Sequence, residues 1–264
     1  MLFRSQMIFI AATFKQTLYK LFVSRKHKLA ILGLIVIASG ISITELAVAK
    51  LFTKIVLHEK TMSEGKATLW IAVFFIAFAM TRAGHFAQRV FRLNYFEKAL
   101  SDMKAKSELT KTQENWTWNL AIELSGVLSA AVQLVLLATF FAFFSPIFTL
   151  LNLIIIFIIF EVFSRLLIHQ IDQQREFVKA RKEKNPAASA IQVKTRIRSA
   201  EFGQLLSSFG IMLLLAVLLY LSYKNGLSAS NTIVLFLGIR MQSSNLNNIS
   251  TGLMRFARAL ANSE

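Results

Sequence analysis

Six stretches of this sequence are apolar over lengths that match the thickness of a bilayer. They are Leu29–Leu57, Ala67–His85, Asn119–Phe144, Pro146–Ile168, Gly203–Tyr223 and Thr232 to about Leu253. A helix rises about 1.5 Å per residue, so roughly 20 residues cross a hydrocarbon core of about 30 Å. The expected fold is therefore all-α: a polytopic membrane protein with six transmembrane helices. The last stretch is the weakest by hydropathy, because Arg240, Gln242, Ser243, Ser244, Asn245, Asn247 and Asn248 interrupt it. It still counts as a span, since Thr232–Ile239 is apolar and the helical pattern resumes through Leu246, Ile249, Leu253 and Phe256.

Composition agrees with this reading. Of 264 residues, 55% are hydrophobic and 17% charged, against about 45–50% and 25% in ordinary soluble domains. With 24 Phe, 10 Gly and 2 Pro the chain has the bias of neither collagen nor a disordered segment. It contains no Cys, which excludes thiol catalysis, disulfides and cysteine-ligated metal centres.

The formal charge of +16 would suggest nucleic acid in a soluble protein, but its placement indicates topology. Lys15, Lys20, Arg25, Lys26 and Lys28 precede the first span. Arg89, Arg92, Lys98, Lys104, Lys106 and Lys111 join the second to the third. Arg175, Lys179, Arg181, Lys182, Lys184, Lys194, Arg196 and Arg198 join the fourth to the fifth. All three segments fall on one side. The opposite loops are short: His58–Lys66 holds two Lys, Phe144–Pro146 none and Ser222–Asn231 one. By the positive-inside rule both termini are cytoplasmic, and no nucleic-acid partner is expected. The compact loops favour a bacterial inner membrane.

The cytoplasmic connections are expected to be helical, over Thr81–Thr112, Phe163–Lys184 and Ala187–Phe202, with a break at Asn185-Pro186. Two domains follow: residues 1–28 as an amphipathic segment and 29–264 as the six-helix unit. In the first, Phe14, Leu18, Leu21 and Phe22 share one helical side, while Lys15, Lys20, Arg25 and Lys26 lie mostly on others. That is the pattern of a helix lying in the membrane interface. Arg4 followed by the apolar Met7–Phe14 offers a rival reading as a signal peptide.

No motif supports covalent catalysis. The sequence lacks GxxxxGK[ST], HExxH, GxSxG and GxGxxG, and His27, His58, His85 and His169 have no metal-ligand spacing. No catalytic residue, metal or cofactor is expected in this chain. What remains is the polar content of the spans, where an ionisable side chain costs at least about 2.5–3.5 kcal/mol and so faces a partner, a bundle interior or water. Glu45, Lys50, Arg82, Glu161 and Arg240 are the candidates. Glu45 lies 12 residues before Leu57 and Arg240 lies 9 after Asn231, so their depths agree to within about 5 Å and they could pair. Arg82 and Glu161 match in the same way. Such pairs could lock helices together or mark a pathway, whereas Lys50, nearer the surface, can snorkel.

In the sixth span Gln242, Asn245, Asn248 and Thr251 recur at helical spacing, and Ser243, Ser244, Asn247 and Ser250 widen the polar stripe. Lipid would leave these groups unsatisfied. Either the helix lines water or a polar interface, or it leaves the membrane near Ser243. On the first reading Arg240, Gln242, Asn245, Asn248 and Thr251 line a substrate path.

The whole pattern resembles the transmembrane domain of type I ABC exporters. The likeness lies in the elbow helix, six spans with both termini inside, short outer turns and prolonged cytoplasmic helices. It extends to local sequence, in LAILGLIVIASGISITELAVAKLFTKIV for the first helix and IVLFLGIRMQSSNLNNISTGLMRFARALANSE for the sixth, and covers the chain from about Thr13. The resemblance implies a homodimer or heterodimer of six-helix units that alternates between inward- and outward-open states. ATP and Mg would be bound by an ATPase partner, and the cargo would be amphipathic, lipid-linked or peptide. A nucleotide-binding domain would follow the sixth helix, near Glu264, so the ATPase is expected as a separate chain, in sequence beyond this one, or not at all. The cytoplasmic connections are shorter than in the family, which bears on how an ATPase would dock. The alternative is a permease-like scaffold or accessory subunit without an ATPase. It would bind another membrane complex, with its basic hairpins on anionic lipid or a cytoplasmic partner.

Overall fold

The computed structural model describes residues 2–22, 25–57, 64–104, 110–183, 189–224 and 227–263. Its elements are α1 (Leu2–Leu21), α2 (Arg25–Val56), α3 (Glu64–Lys104), α4 (Lys111–Ala142), α5 (Pro146–Lys182), α6 (Ser189–Tyr223) and α7 (Ala229–Ser263). Five of them, α2 to α6, contain segments long and apolar enough to cross a membrane. These are the lengths and composition of an integral membrane protein. α7 is not among the five, because the amides and hydroxyls in its middle dilute its apolar content.

The helices outrun the apolar stretches, since helical hydrogen bonding does not require apolar side chains once the chain has left hydrocarbon. One helix expected from the sequence is divided. The run over Thr81–Thr112 ends at Lys104, and α4 begins at Lys111 behind a capping box. Thr110 Oγ1 accepts from the Gln113 amide at 3.4 Å, and Gln113 Oε1 accepts from the Thr110 amide at 3.1 Å. The Thr-x-x-Gln spacing satisfies two backbone donors that would otherwise be unpaired. At the opposite end of α4, Ser145 caps α5 by accepting from the Phe148 amide at 3.3 Å, and Pro146 occupies the first turn where no amide is needed. The expected break at Asn185-Pro186 and most of the His58–Lys66 loop lie outside the described residues.

From α2 to α7 successive helices alternate in direction. Thr44 of α2 meets Thr81 of α3 at 3.2 Å while His27 meets Tyr95 at 2.7 Å, so these two run antiparallel. On α7, Arg255 lies near Glu123 of α4, whereas a side chain at Gly238 would run into Phe141 of the same α4. That pair is antiparallel too. One end of the bundle therefore gathers the starts of α2, α4 and α6 with the ends of α3, α5 and α7. Most of the basic residues lie towards this end.

α7 occupies the centre and packs on α2, α4, α5 and α6. Eighteen of its 35 residues are buried, which makes it a core helix despite its polar content. Glycine permits the closest approaches. A Cβ at Gly203 of α6 would collide with the Ser250 side chain, and one at Gly238 with the Phe141 ring. At the first contact Ser250 Oγ donates to the Ala200 carbonyl at 2.9 Å. Among the helices after α1, α3 is the most peripheral and packs chiefly on α2. It turns Leu69, Phe75, Ile76, Met80 and Phe86 outward, as α5 does Ile147, Leu150 and Phe157, and α6 Leu205, Phe209 and Leu219. α1 lies against the basic end. Its apolar stripe is applied to the bundle, with Leu21 and Phe22 buried and the Phe14 ring edge-on to Phe256 at 4.9 Å, while Lys15 and Lys20 face outward.

Candidate functional site

A cavity of about 390 Å³ lies between α2, α3, α4 and α7, in the half of the bundle nearer the basic end. Its walls are polar. α7 contributes Asn245, Asn248, Thr251 and Arg255, and α3 contributes His85, Gln88, Arg89 and Arg92 from consecutive turns. Ser42 of α2 and Glu123 and Gln133 of α4 close the remaining sides. The cavity exists because small residues let the backbones approach without filling the space. A Cβ at Gly252 would stand 2.8 Å from Val127 Cγ2, and Ser39 Oγ of α2 donates to the Ser129 carbonyl of α4 at 3.2 Å.

Three guanidinium groups and one carboxylate line this space, so its charge is positive. Glu123 Oε1 stands 3.7 Å from Arg255 Nη1. Asn245 is only 7% exposed, yet its Nδ2 has no hydrogen-bond partner among the described residues. A buried donor without an acceptor is costly; this atom is closed off from the cavity, which other atoms of Asn245 line. The arrangement suits the binding of acceptor-rich or anionic groups. Among the described residues no cluster of His, Asp or Glu could hold a metal ion.

The residues singled out from the sequence separate into groups. Asn245, Asn248 and Thr251 come together at the cavity. Gln242 does not reach it: fully buried, it turns towards α5 and donates through Nε2 to Asn152 Oδ1 at 2.7 Å. Arg240 lies on the exposed side of α7, in line with Ser244, Asn248 and Arg255. Ile233 and Phe236 continue the same side towards the far end. α7 thus buries most of its circumference and leaves one stripe open, apolar at one end and polar over the rest.

The charge pairing expected from depth is corrected. Glu45 does not pair with Arg240 but holds Arg82 Nη1 at 3.3 Å and His85 Nε2 at 3.2 Å, both on the adjacent α3. Glu161 does not pair with Arg82 but holds Arg165, one turn along α5, at 3.3 Å. Depth fixes the level of a side chain and not its direction. Arg82 sits on α3, which packs chiefly on α2, and Glu161 faces the interior from α5. Lys50 bonds to Ser230 Oγ at 2.8 Å and to the Asn231 side chain, tying α2 to the start of α7.

Four charged site residues, Arg89, Arg92, Glu123 and Arg255, escaped the sequence reading. Arg89 and Arg92 counted there only as topological charge, although their spacing of three places them on one side of a helix. Glu123 was overlooked inside the third apolar stretch, where a lone carboxylate is itself a signal. No family model and no curated protein matches the chain.

Proposed function

We propose that this chain is the membrane-embedded permease unit of a transporter, with six transmembrane helices, α2 to α7, and both termini in the cytoplasm of a bacterial cell. One observation carries the reading: the central helix α7 leaves Arg240, Ser244, Asn248 and Arg255 uncovered in a bundle whose other outer faces are largely apolar. A bilayer would leave these groups without partners, so they face water, in a path that a second copy completes. The cavity opens onto the same stripe through Asn248, Thr251 and Arg255. Together they form a path, from the basic end into the membrane, for an amphipathic solute.

The resemblance to type I ABC exporter transmembrane domains adds the remaining elements. Two copies, or this chain and a related one, place their α7 stripes face to face, and an ATPase subunit carrying ATP and Mg drives the exchange of inward- and outward-open states. The basic hairpins between α3 and α4 and between α5 and α6 provide its docking surface.

Gentle purification from the native membrane, followed by mass spectrometry, tests this reading. A stoichiometric ATPase subunit is the expected result. Recovery with another membrane complex and no ATPase would contradict it and favour the scaffold alternative, in which the α7 stripe is a protein interface.

A further inference from the structure

The cavity carries more positive charge than the passage of a neutral solute requires. Arg89 and Arg92 on α3 and Arg255 on α7 meet there with one carboxylate, Glu123, leaving two positive charges. A phosphate monoester carries about −1.5 to −2 at neutral pH, and the guanidinium fork matches pairs of phosphate oxygens.

The surroundings of the cavity suggest what is attached to that phosphate. His85 lines the cavity and also touches Glu45 at 3.2 Å. Glu45 also lines, with Arg82, the near end of a groove of about 300 Å³ between α2 and α3, whose remaining wall is mostly apolar: Val48, Ala49, Phe52, Phe74 and Phe78. A cationic pocket therefore adjoins an apolar groove, joined through the Glu45–His85 contact.

We infer that the cavity binds the phosphate headgroup of an amphiphile whose hydrocarbon chain lies in the α2–α3 groove. As an identification of cargo this rests on the transport reading above. As a binding site it is a property of this chain alone. Arg89 and Arg92 hold the phosphate oxygens, and Phe74 and Phe78 cover the chain.

The test measures binding of dodecyl phosphate and of inorganic phosphate to the purified full chain in an uncharged detergent. Dodecyl phosphate is expected to bind at least 10-fold more tightly than inorganic phosphate. The double variant Arg89→Gln/Arg92→Gln should bind dodecyl phosphate at least 10-fold more weakly. Phe78→Ala should weaken dodecyl phosphate and leave inorganic phosphate unchanged. Arg89 is exposed and Arg92 half-buried, so the double variant is expected to fold, and Phe78→Ala tests the groove separately.

Equal binding of both probes would overturn the inference in favour of a free-anion site. Unchanged dodecyl phosphate binding by the double variant would overturn the site itself. An ATPase partner without this binding would remove the cargo and leave the transport reading. Binding without an ATPase partner would leave the binding site and remove the transport reading, and with it the role of the ligand as cargo.

Discussion

The side-chain amide of Gln242 donates to the side-chain carbonyl of Asn152 across 2.7 Å, at a point where neither residue is reached by solvent. The other atoms of the two amides, Asn152 Nδ2 and Gln242 Oε1, have no partner among the described residues. A single bond thus orients two buried amides between α5 and α7. Gln242→Leu removes it and leaves Asn152 wholly unpaired, at an expected cost of about 1–3 kcal/mol. The double variant Asn152→Leu/Gln242→Leu replaces both by apolar groups and should recover most of that loss. Thermal unfolding in detergent reads both values; a double variant no more stable than the single would contradict the assignment.

The contact of α7 with α4 depends on the absence of a side chain at Gly238, where a Cβ would strike the Phe141 ring. Gly238→Ala is expected to destabilise the chain by about 1–3 kcal/mol through overpacking. Phe141→Leu in the same chain makes room, so the two changes should cost less together than the sum of each alone. Strict additivity in unfolding experiments would contradict the close approach.

Glu45 is held by Arg82 and His85 rather than by Arg240. A double-mutant cycle of Glu45→Gln with Arg82→Gln should show coupling of up to about 1 kcal/mol, because Arg82 is 63% exposed. The cycle with Arg240→Gln should show none. Coupling in the second cycle alone would restore the pairing that depth suggested.

The contrast between those pairings shows what can be read from this sequence. The long apolar stretches locate five membrane-length helices, because hydrophobic length is a property of the chain itself. α7 could be anticipated as a polar helix from Gln242, Asn245, Asn248 and Thr251, and Asn245, Asn248 and Thr251 do line one cavity. Which helix stands beside which is a different kind of information. Arg82 and Glu161 match in level, but they sit on α3 and α5, and α3 packs chiefly on α2. Arg89 and Arg92 satisfied a topological rule so well that their second position, in the cavity wall, was hidden. The expected run over Thr81–Thr112 is broken at Thr110 for a local reason: Thr110 and Gln113 form the cap of α4, which outweighs the continuous helical propensity around them.

The central claim is that the open stripe of α7 faces water at membrane depth. The absence of Cys lets single cysteines be placed without background. Arg240 and Ser244 are exposed on α7, while Leu213 and Phe209 are exposed on α6. Gly203 abuts Ser250 and Ser222 meets Thr232 at 3.1 Å, so the two helices run antiparallel and these residues stand at matching levels. The measurement is labelling of each single-cysteine variant by a water-soluble maleimide in membranes opened on both sides. The account predicts that Arg240→Cys and Ser244→Cys react while Leu213→Cys and Phe209→Cys do not. Equal labelling of all four would place this part of the bundle outside the bilayer, and no labelling of the α7 pair would show that the stripe is covered; either result would contradict the account.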